Sequence, residues 1–230
     1  MPAYNEGETI AGTVDEIGKK IIPSLPNAKL MIFEDGSPDN TRDVMKALSR
    51  KYSWVVPYNY KNRMGYPKAV KNAFSMVDDK KFPYVLFMDA DGQYDPDDCL
   101  RLCETAIATG TDMVVAERKN RSEPLYRVLL SQGLHLIEHL LFRVEYEDVT
   151  SACRVIKSKI AKQIAKEVKF SKYNFWLEFT ARASTKNLKI KIVDVNYRQR
   201  EGESRVYSMG RMPKVVINEL GALLKTKFGG

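Results

Sequence analysis

The stretch YVLFMDADGQYDPDD, residues 84–98, decides how this chain reads. Its apolar opening, Val85-Leu86-Phe87-Met88, is too short for a helix and suits a strand buried on both faces. It runs without a break into Asp89-Ala90-Asp91-Gly92. Two carboxylates one residue apart at the end of such a strand project into the crevice beyond its carboxyl edge, where open α/β sheets bind ligands. Hard oxygen ligands with open positions suit Mg²⁺ or Mn²⁺ already carrying substrate phosphates. Asp95-Pro96-Asp97-Asp98 then caps a helix, with proline in its first turn. A D-x-D triplet alone is also a common polar turn, so the flanking chain must decide.

Outward from this stretch, strand and helix alternate. Met1 to Ile10 reads as a loop entering a helix over about residues 7–21. No strand precedes that loop, so the chain is expected to begin just after its first strand. Lys29 to Phe33 is a strand that ends in Glu34-Asp35-Gly36-Ser37-Pro38-Asp39-Asn40-Thr41, a turn opening a helix to about Lys51. Trp54 to Tyr58 is a less regular strand. Asn62 to Lys68 is a basic loop into a helix ending near Val77. A helix from Asp97 to about Ala108 and a strand from Asp112 to Ala116 follow. The alternation argues for a mostly parallel sheet with helices on both faces.

The second half differs. Leu125 to Phe142 (LYRVLLSQGLHLIEHLLF) is an amphipathic helix. Arg127, Ser131, Gln132, His135, Glu138 and His139 fall on one stripe, and Leu129, Leu130, Leu134, Leu136, Ile137, Leu140 and Leu141 cover the opposite arc. Six polar residues argue against a spanning helix, and the wide apolar arc suits a core or a membrane interface. Asp148 to Ile156 is a loop leading into a short strand, Tyr173 to Ala183 is helical, and Lys189 to Tyr197 alternates as a strand. A polar loop, Arg198 to Arg205, precedes a last amphipathic helix from Met212 to Phe228.

The bulk properties narrow the partners. The chain has 230 residues, enough for one domain with a good core. Its 37 basic residues against 29 acidic ones give a net charge of +8, which favours anionic partners without choosing among them. Three cysteines give no disulfide framework and read as small core residues; Cys99 and Cys103 lack further ligands for a zinc site. No stretch of this sequence reads as a signal peptide, and no apolar run in it reaches the ~18 residues of a spanning helix. His135 and His139 lack the H-E-x-x-H order of a metal-binding helix and read as polar-stripe residues.

These segments together resemble the inverting glycosyltransferases of family 2, fold type A, and most closely the branch that makes dolichyl- or polyprenyl-phosphate sugars. The matching pieces, in order, are PAYNE at Pro2 to Glu6, EDGSPDNT at Glu34 to Thr41, NRMG at Asn62 to Gly65 and DADGQYDP at Asp89 to Pro96. RVLLS at Arg127 to Ser131, DVTSACR at Asp148 to Arg154 and REGESR at Arg200 to Arg205 complete them. One domain over 1–210 is implied, with a nucleotide-sugar half over 1–118 and an acceptor half over 119–210, followed by an amphipathic helix over 211–230 suited to a membrane interface. In this fold the missing first strand would sit mid-sheet, leaving the base-binding loop on an unanchored terminus. Ser151-Ala152-Cys153-Arg154 departs from the family's usual Ser-Gly-Phe-Arg.

The resemblance also implies roles. Pro2, Ala3, Tyr4 and Glu6 would hold base and ribose, Asp35 would contact the base, and Lys68, Asp89 and Ala90 would complete the nucleotide site. Asp35 also reads as a helix-capping turn residue. Asp89 and Asp91 would bind Mg²⁺ or Mn²⁺ on the diphosphate, with Gln93 as a third ligand. Arg127 and Ser131, one helical turn apart, would reach the acceptor phosphate together with Arg118 and Arg205, while the loop carrying Arg200, Ser204 and Arg205 would close over the diphosphate. Catalysis would then rest on Asp89, Asp91, Arg127, Ser131 and Arg200. Each arginine also reads as a solvated surface charge.

The implied reaction moves a hexose, mannose first, from GDP-mannose or UDP-glucose to a polyprenyl or dolichyl phosphate. A phosphate oxygen is already an anion and needs no strong base. A sugar-hydroxyl acceptor, as in polysaccharide or glycolipid synthesis, would need one, and Asp148 is the candidate. Glu178 reads equally as a substrate contact and as an ion-pair partner of a nearby arginine. The expected location is the cytoplasmic face of a membrane, peripherally held; nucleic acid is not an expected partner. The rival readings are a nucleotidyltransferase, for which PAYNEGE is a poor phosphate loop, and a truncated, inactive polyanion-binding protein.

Overall fold

The computed structural model describes residues 1–119, 125–198 and 212–229. Strands β1 (Pro2–Ala3), β2 (Leu30–Glu34) and β3 (Val55–Asn59) form a parallel sheet in that order. A second sheet has the order β4 (Tyr84–Phe87), β6 (Arg154–Lys157), β5 (Met113–Lys119), β7 (Ile190–Asn196). There β5 and β7 are parallel, while β6 runs antiparallel to both β4 and β5. The helices are α1 (Ile10–Lys20), α2 (Thr41–Lys51), α3 (Tyr66–Ser75), α4 (Pro96–Thr109), α5 (Leu125–Phe142), α6 (Ser158–Glu167), α7 (Phe175–Ser184) and α8 (Met212–Phe228).

Two expectations change. Residues 2–3 are a strand and not a loop: Pro2 pairs with Phe33 and Ala3 with Glu34. The Met1 amine, buried, donates to the Met31 carbonyl at 3.0 Å, and Phe33 N–H donates to the Met1 carbonyl at 2.9 Å. The PAYNE segment is therefore anchored at its start. The strands also form two sheets, with an antiparallel member, where one mostly parallel sheet was expected. The cause is the route of the chain after β5. Ala116 N–H donates to the Cys153 carbonyl at 3.0 Å, so the chain re-enters the sheet at the end where β5 left it. That return sets Asp148 to Arg154 at the carboxyl edge of β5. Helix α6 was not among the expected elements, although Ala161, Ile164 and Ala165 line its buried side at helical spacing.

The strand alternation explains the layering. On β5, Met113 and Val115 enter one core with Phe87, Ile156 and the apolar sides of α3, α6 and α7. Val114 and Ala116 enter the other with Ile32, Val155 and the apolar sides of α1, α2 and α4. Residues Ala3, Ile32, Met88 and Val114 belong to that second core, so the two sheets share it. On β4, Val85 packs toward the first core and Leu86 toward the second, which covers both faces as the apolar run predicts. Asp95 caps α4 by accepting from Asp97 N–H at 2.9 Å, with Pro96 opening the helix.

Helix α5 has the expected bounds. Its polar stripe turns inward only in part: Ser131 and Glu138 are buried beside Leu134 and Phe142, while Gln132 and His139 are exposed. Its apolar arc turns outward in part, leaving Leu129 65%, Leu136 56% and Leu140 72% exposed. Helix α8 does the same at Ile217 (70%), Leu224 (50%) and Phe228 (75%). The ends of the two helices meet where Lys227 Nζ sits 5.5 Å from the Phe142 ring centroid. Among the described residues no helix is long and apolar enough to cross a membrane.

Candidate active site

Three loops converge at the carboxyl ends of β1, β2 and β3, the edge at which α/β sheets bind ligands. The loop after β1 and the loop after β2 are laced together. Asn5 N–H donates to Ser37 Oγ, Glu6 N–H to Thr41 Oγ1 and Gly7 N–H to an Asp39 oxygen. Glu34, fully buried, is held by Arg42 Nη2 at 2.9 Å and accepts Ser37 N–H. Gly36 has a φ of +71°, and a Cβ there would stand 2.7 Å from the Arg63 backbone nitrogen. Glycine is what lets the Asn62–Gly65 loop lie against this turn.

Asp35 joins the third loop to the other two. Its oxygens accept Met64 N–H at 2.7 Å and Gly65 N–H at 2.9 Å, and its own N–H donates to the Ala3 carbonyl. The helix-cap alternative for Asp35 is not what is seen. Tyr4 stacks under the Arg63 guanidinium, 3.9 Å from centroid to Cζ. Pro2 and Ala3 are buried in β1, Glu6 accepts from Thr9 Oγ1 at 2.9 Å, and Lys68 is exposed in the first turn of α3. These residues are thus gathered around one edge.

Asp89 and Asp91 follow β4, with buried Ala90 between them and a left-handed Gly92 after them. Asp89 Oδ1 accepts the Tyr66 hydroxyl at 2.9 Å, and Asp91 Oδ1 accepts Gln93 N–H at 3.2 Å. The donors are hard carboxylate oxygens held from behind by hydrogen bonds, a set that fits Mg²⁺ or Mn²⁺. Among the described residues no group of three His, Cys, Asp or Glu side chains is placed around one metal ion. Substrate phosphate and water would supply the rest of the shell. Gln93 is engaged elsewhere: its oxygen accepts the Tyr197 hydroxyl at 2.9 Å and its amide donates to the Arg198 carbonyl at 3.1 Å.

At the carboxyl end of β5, Arg118 is buried against Asp148, with Nε 2.6 Å and Nη2 2.7 Å from its two oxygens. Arg118 also donates to Thr150 Oγ1 and lies over the Tyr197 ring. Burial works against its charge, but the neighbouring Tyr94 and Asp148 more than offset this and hold the guanidinium above its ordinary value. Ser131 is buried on the inner side of α5. Arg127 lies in the first turn of α5, and its side chain is outside the described residues, as are Arg200, Ser204 and Arg205. Glu178 is a structural anchor: it accepts the N–H groups of Lys169, Phe170 and Ser171 and pairs with Arg182. His139 Nδ1 lies 2.9 Å from the Val144 carbonyl.

Three residues at this site escaped the sequence reading. Tyr66 directly follows NRMG and reaches Asp89. Trp176 donates its Nε1–H to the Tyr66 hydroxyl at 3.0 Å. Arg154, fully buried, holds the Val149 and Ser151 carbonyls and the Thr180 hydroxyl, and so fixes the loop that presents Asp148. Arg154 had a signal, since it ends the DVTSACR motif; Trp176 had none beyond a crowd of aromatics.

Comparison with known proteins places this architecture. The model of the family "Glycosyl transferase family 2" matches residues 1–164. The undecaprenyl-phosphate mannosyltransferase of Micrococcus luteus is 25% identical over 95% of this chain and 90% of its own length. The UDP-N-acetylglucosamine–dolichyl-phosphate N-acetylglucosaminyltransferase of Methanococcus voltae is 26% identical over 94% of this chain and 89% of its own. Among solved structures, glucosyl-3-phosphoglycerate synthase from Mycobacterium tuberculosis, in complex with Mn²⁺, UDP-glucose and phosphoglyceric acid, shares the fold. Its TM-score is 0.70 at 15% identity, over 98% of this chain and 77% of that one. With the family model covering most of its length, the chain belongs to glycosyl transferase family 2 and is a sugar-transferring enzyme.

Proposed function

We propose that this enzyme moves a hexose from a nucleotide sugar to a phosphate-bearing acceptor, with a polyprenyl or dolichyl phosphate as that acceptor and mannose as the first sugar to test. One observation carries the choice of acceptor. Asp148, the carboxylate best suited to deprotonate a hydroxyl, is engaged at both oxygens by Arg118. A lipid phosphate is already an anion and attacks without a base. The names of the relatives from Micrococcus luteus and Methanococcus voltae point the same way.

The residues divide the work. Tyr4, Glu6 and Asp35 bind base and ribose at the edge of the first sheet, with Pro2 and Ala3 shaping the floor and Lys68 adding positive charge near the diphosphate. Asp89 and Asp91 would hold Mg²⁺ or Mn²⁺, which when bound offsets charge on the departing nucleoside diphosphate. Gln93 would join them through an oxygen that already accepts the Tyr197 hydroxyl. Ser131 and Arg127 on α5, with Arg200 and Arg205, orient the acceptor phosphate for in-line attack on the anomeric carbon and inversion. Arg118 holds the turn of Asp148 and Thr150 in place.

The outward apolar faces of α5 and α8 support a peripheral seat on a membrane, where a polyprenyl tail stays while its phosphate enters the site. The exposed Lys214, Lys225 and Lys227 suit an anionic surface, and the cytoplasmic leaflet is one.

A small phosphorylated acceptor is the second reading, since the solved relative of the same fold holds phosphoglyceric acid beside its donor. A transfer assay separates the two. Purified protein, Mn²⁺ or Mg²⁺ and labelled GDP-mannose, UDP-glucose or UDP-N-acetylglucosamine are mixed with polyprenyl phosphate or phosphoglyceric acid, beside Asp91→Ala. Label entering the organic phase, and lost in the variant, is the expected result. Label entering only the water-soluble product would overturn the lipid acceptor and keep the donor site.

A further inference from the structure

Three consecutive residues touch both carboxylates on which the donor site rests. Met64 and Gly65 give their N–H groups to the two oxygens of Asp35, and Tyr66 gives its hydroxyl to Asp89 Oδ1. The two carboxylates are far apart in the chain and follow strands of different sheets. Segment 64–66 is therefore pinned at its start by the base-side carboxylate and reaches the metal-side one at its end.

The Tyr66 hydroxyl is itself aimed. A phenol has one proton to donate. Its oxygen accepts Trp176 Nε1–H at 3.0 Å, which leaves that proton for Asp89. Trp176 is fully buried. Phe87 packs at 4.7 Å, Phe175 at 5.2 Å and Phe179 at 5.3 Å between ring centroids, with the Arg154 guanidinium 4.8 Å over the indole. A side chain held on so many sides has one place for its N–H, so the core sets the Tyr66 hydroxyl and the hydroxyl sets the Asp89 rotamer. None of the motifs recognised in the sequence includes Tyr66 or Trp176.

We propose that Tyr66, locked by Trp176, is a positioning residue that holds Asp89 ready to ligate the divalent cation. The inference rests on the donor-site reading of Asp89 and Asp91. The hydrogen bond fixes one oxygen of Asp89 and with it the rotamer of the carboxylate. Losing such a partner behind a ligating carboxylate typically weakens metal affinity by about 10–100-fold.

The test is Mn²⁺ affinity, read from the free-ion electron paramagnetic resonance signal in the presence of UDP and, separately, GDP. It compares the whole wild-type chain with Tyr66→Phe, Trp176→Phe and Asp91→Ala. The expected result is a Mn²⁺ Kd about 10–100-fold higher in Tyr66→Phe, a smaller rise in Trp176→Phe, and loss of binding in Asp91→Ala. Tyr66→Phe keeps the ring and its packing, so it is expected to fold; circular dichroism checks this. Should Asp91→Ala lose Mn²⁺ while Tyr66→Phe binds it as tightly as wild type, the positioning role is overturned and the donor site stands. Should Asp91→Ala bind Mn²⁺ unchanged, the donor-site reading itself falls, and this inference with it.

Discussion

Arg118 grips Asp148 with two parallel hydrogen bonds, Nε to one oxygen at 2.6 Å and Nη2 to the other at 2.7 Å, and both side chains are buried. Such a pair is costly to break from one side, because the remaining charge is left without a partner in a poorly solvated place. Arg118→Met and Asp148→Asn are each expected to lose about 3–5 kcal/mol of stability. The double variant is expected to lose less than the sum, since no orphaned charge remains. Urea unfolding of the four proteins checks this. Additive losses would mean that the pair is not a unit. The same variants address the acceptor: surviving Asp148→Asn protein should keep the pH profile of wild type if Asp148 is no base.

Glu138 makes stability depend on pH in an unusual direction. It is fully buried on the inner side of α5, and neither carboxylate oxygen has a hydrogen-bond partner among the described residues. Burial pushes its carboxyl well above the ordinary range, against a weaker pull from the Arg154 charge. A carboxyl whose folded pKa is raised gives its full stability below the unfolded value of about 4.3, and that stability is lost as pH rises toward the folded value. Wild-type protein is thus expected to weaken from about pH 4.3 upward through this group. Glu138→Met keeps the shape without the charge. It should flatten the slope and gain about 1–3 kcal/mol at the alkaline end. A variant less stable at every pH would show that Glu138 instead balances the buried Arg154.

How much of this was legible in the sequence depends on the range over which each feature is decided. The strand before Asp89, the Asp95 cap and the bounds of α5 are set by neighbours a few residues away, and the sequence pattern locates them. The periodicity of α5 finds its polar stripe but carries no information on which side faces the protein, and Glu138 lies inward where solvent was an equal choice. The reversed direction of β6 follows from where the chain re-enters beyond α5, a tertiary fact. Tyr66 and Trp176 meet across 110 residues, and neither sits in a spacing that calls attention to it. In the PAYNE segment two strand residues are too few to show a period, so the sequence there reads as a loop.

Glu219 ties α8 to the body of the enzyme. Its carboxylate accepts Lys172 N–H at 3.1 Å, Tyr173 N–H at 2.8 Å and the Ser171 hydroxyl at 3.1 Å. The preceding N–H groups, of residues 169–171, go to Glu178 on α7. Two carboxylates thus take five consecutive amides. Glu219→Ala leaves its donors unmet and is expected to cost about 1–3 kcal/mol. Hydrogen exchange should rise at α8 and residues 171–173 and stay low in β4 and β5. Protection unchanged at α8 would mean that its apolar contacts alone hold it.

The outward residues of α5 and α8 share one spacing: Leu129, Leu136 and Leu140 on the first, Ile217, Leu224 and Phe228 on the second. In each set the second residue lies seven positions on and the third eleven, which puts all three on one side of a helix. Such a side is a cost in water and an asset at an interface. Leu136 and Leu140 are more exposed than buried, so replacing them by glutamate should move stability by no more than about 0.5 kcal/mol. Flotation with vesicles of mixed neutral and anionic lipid should fall sharply in that variant, and further when Ile217 and Phe228 are also replaced. Because the exposed lysines of α8 would add charge attraction, wild-type flotation should weaken as salt is raised. Wild-type protein that ignores the vesicles at low salt, or a variant that floats as well as wild type, would remove the membrane from this account while leaving the donor site untouched.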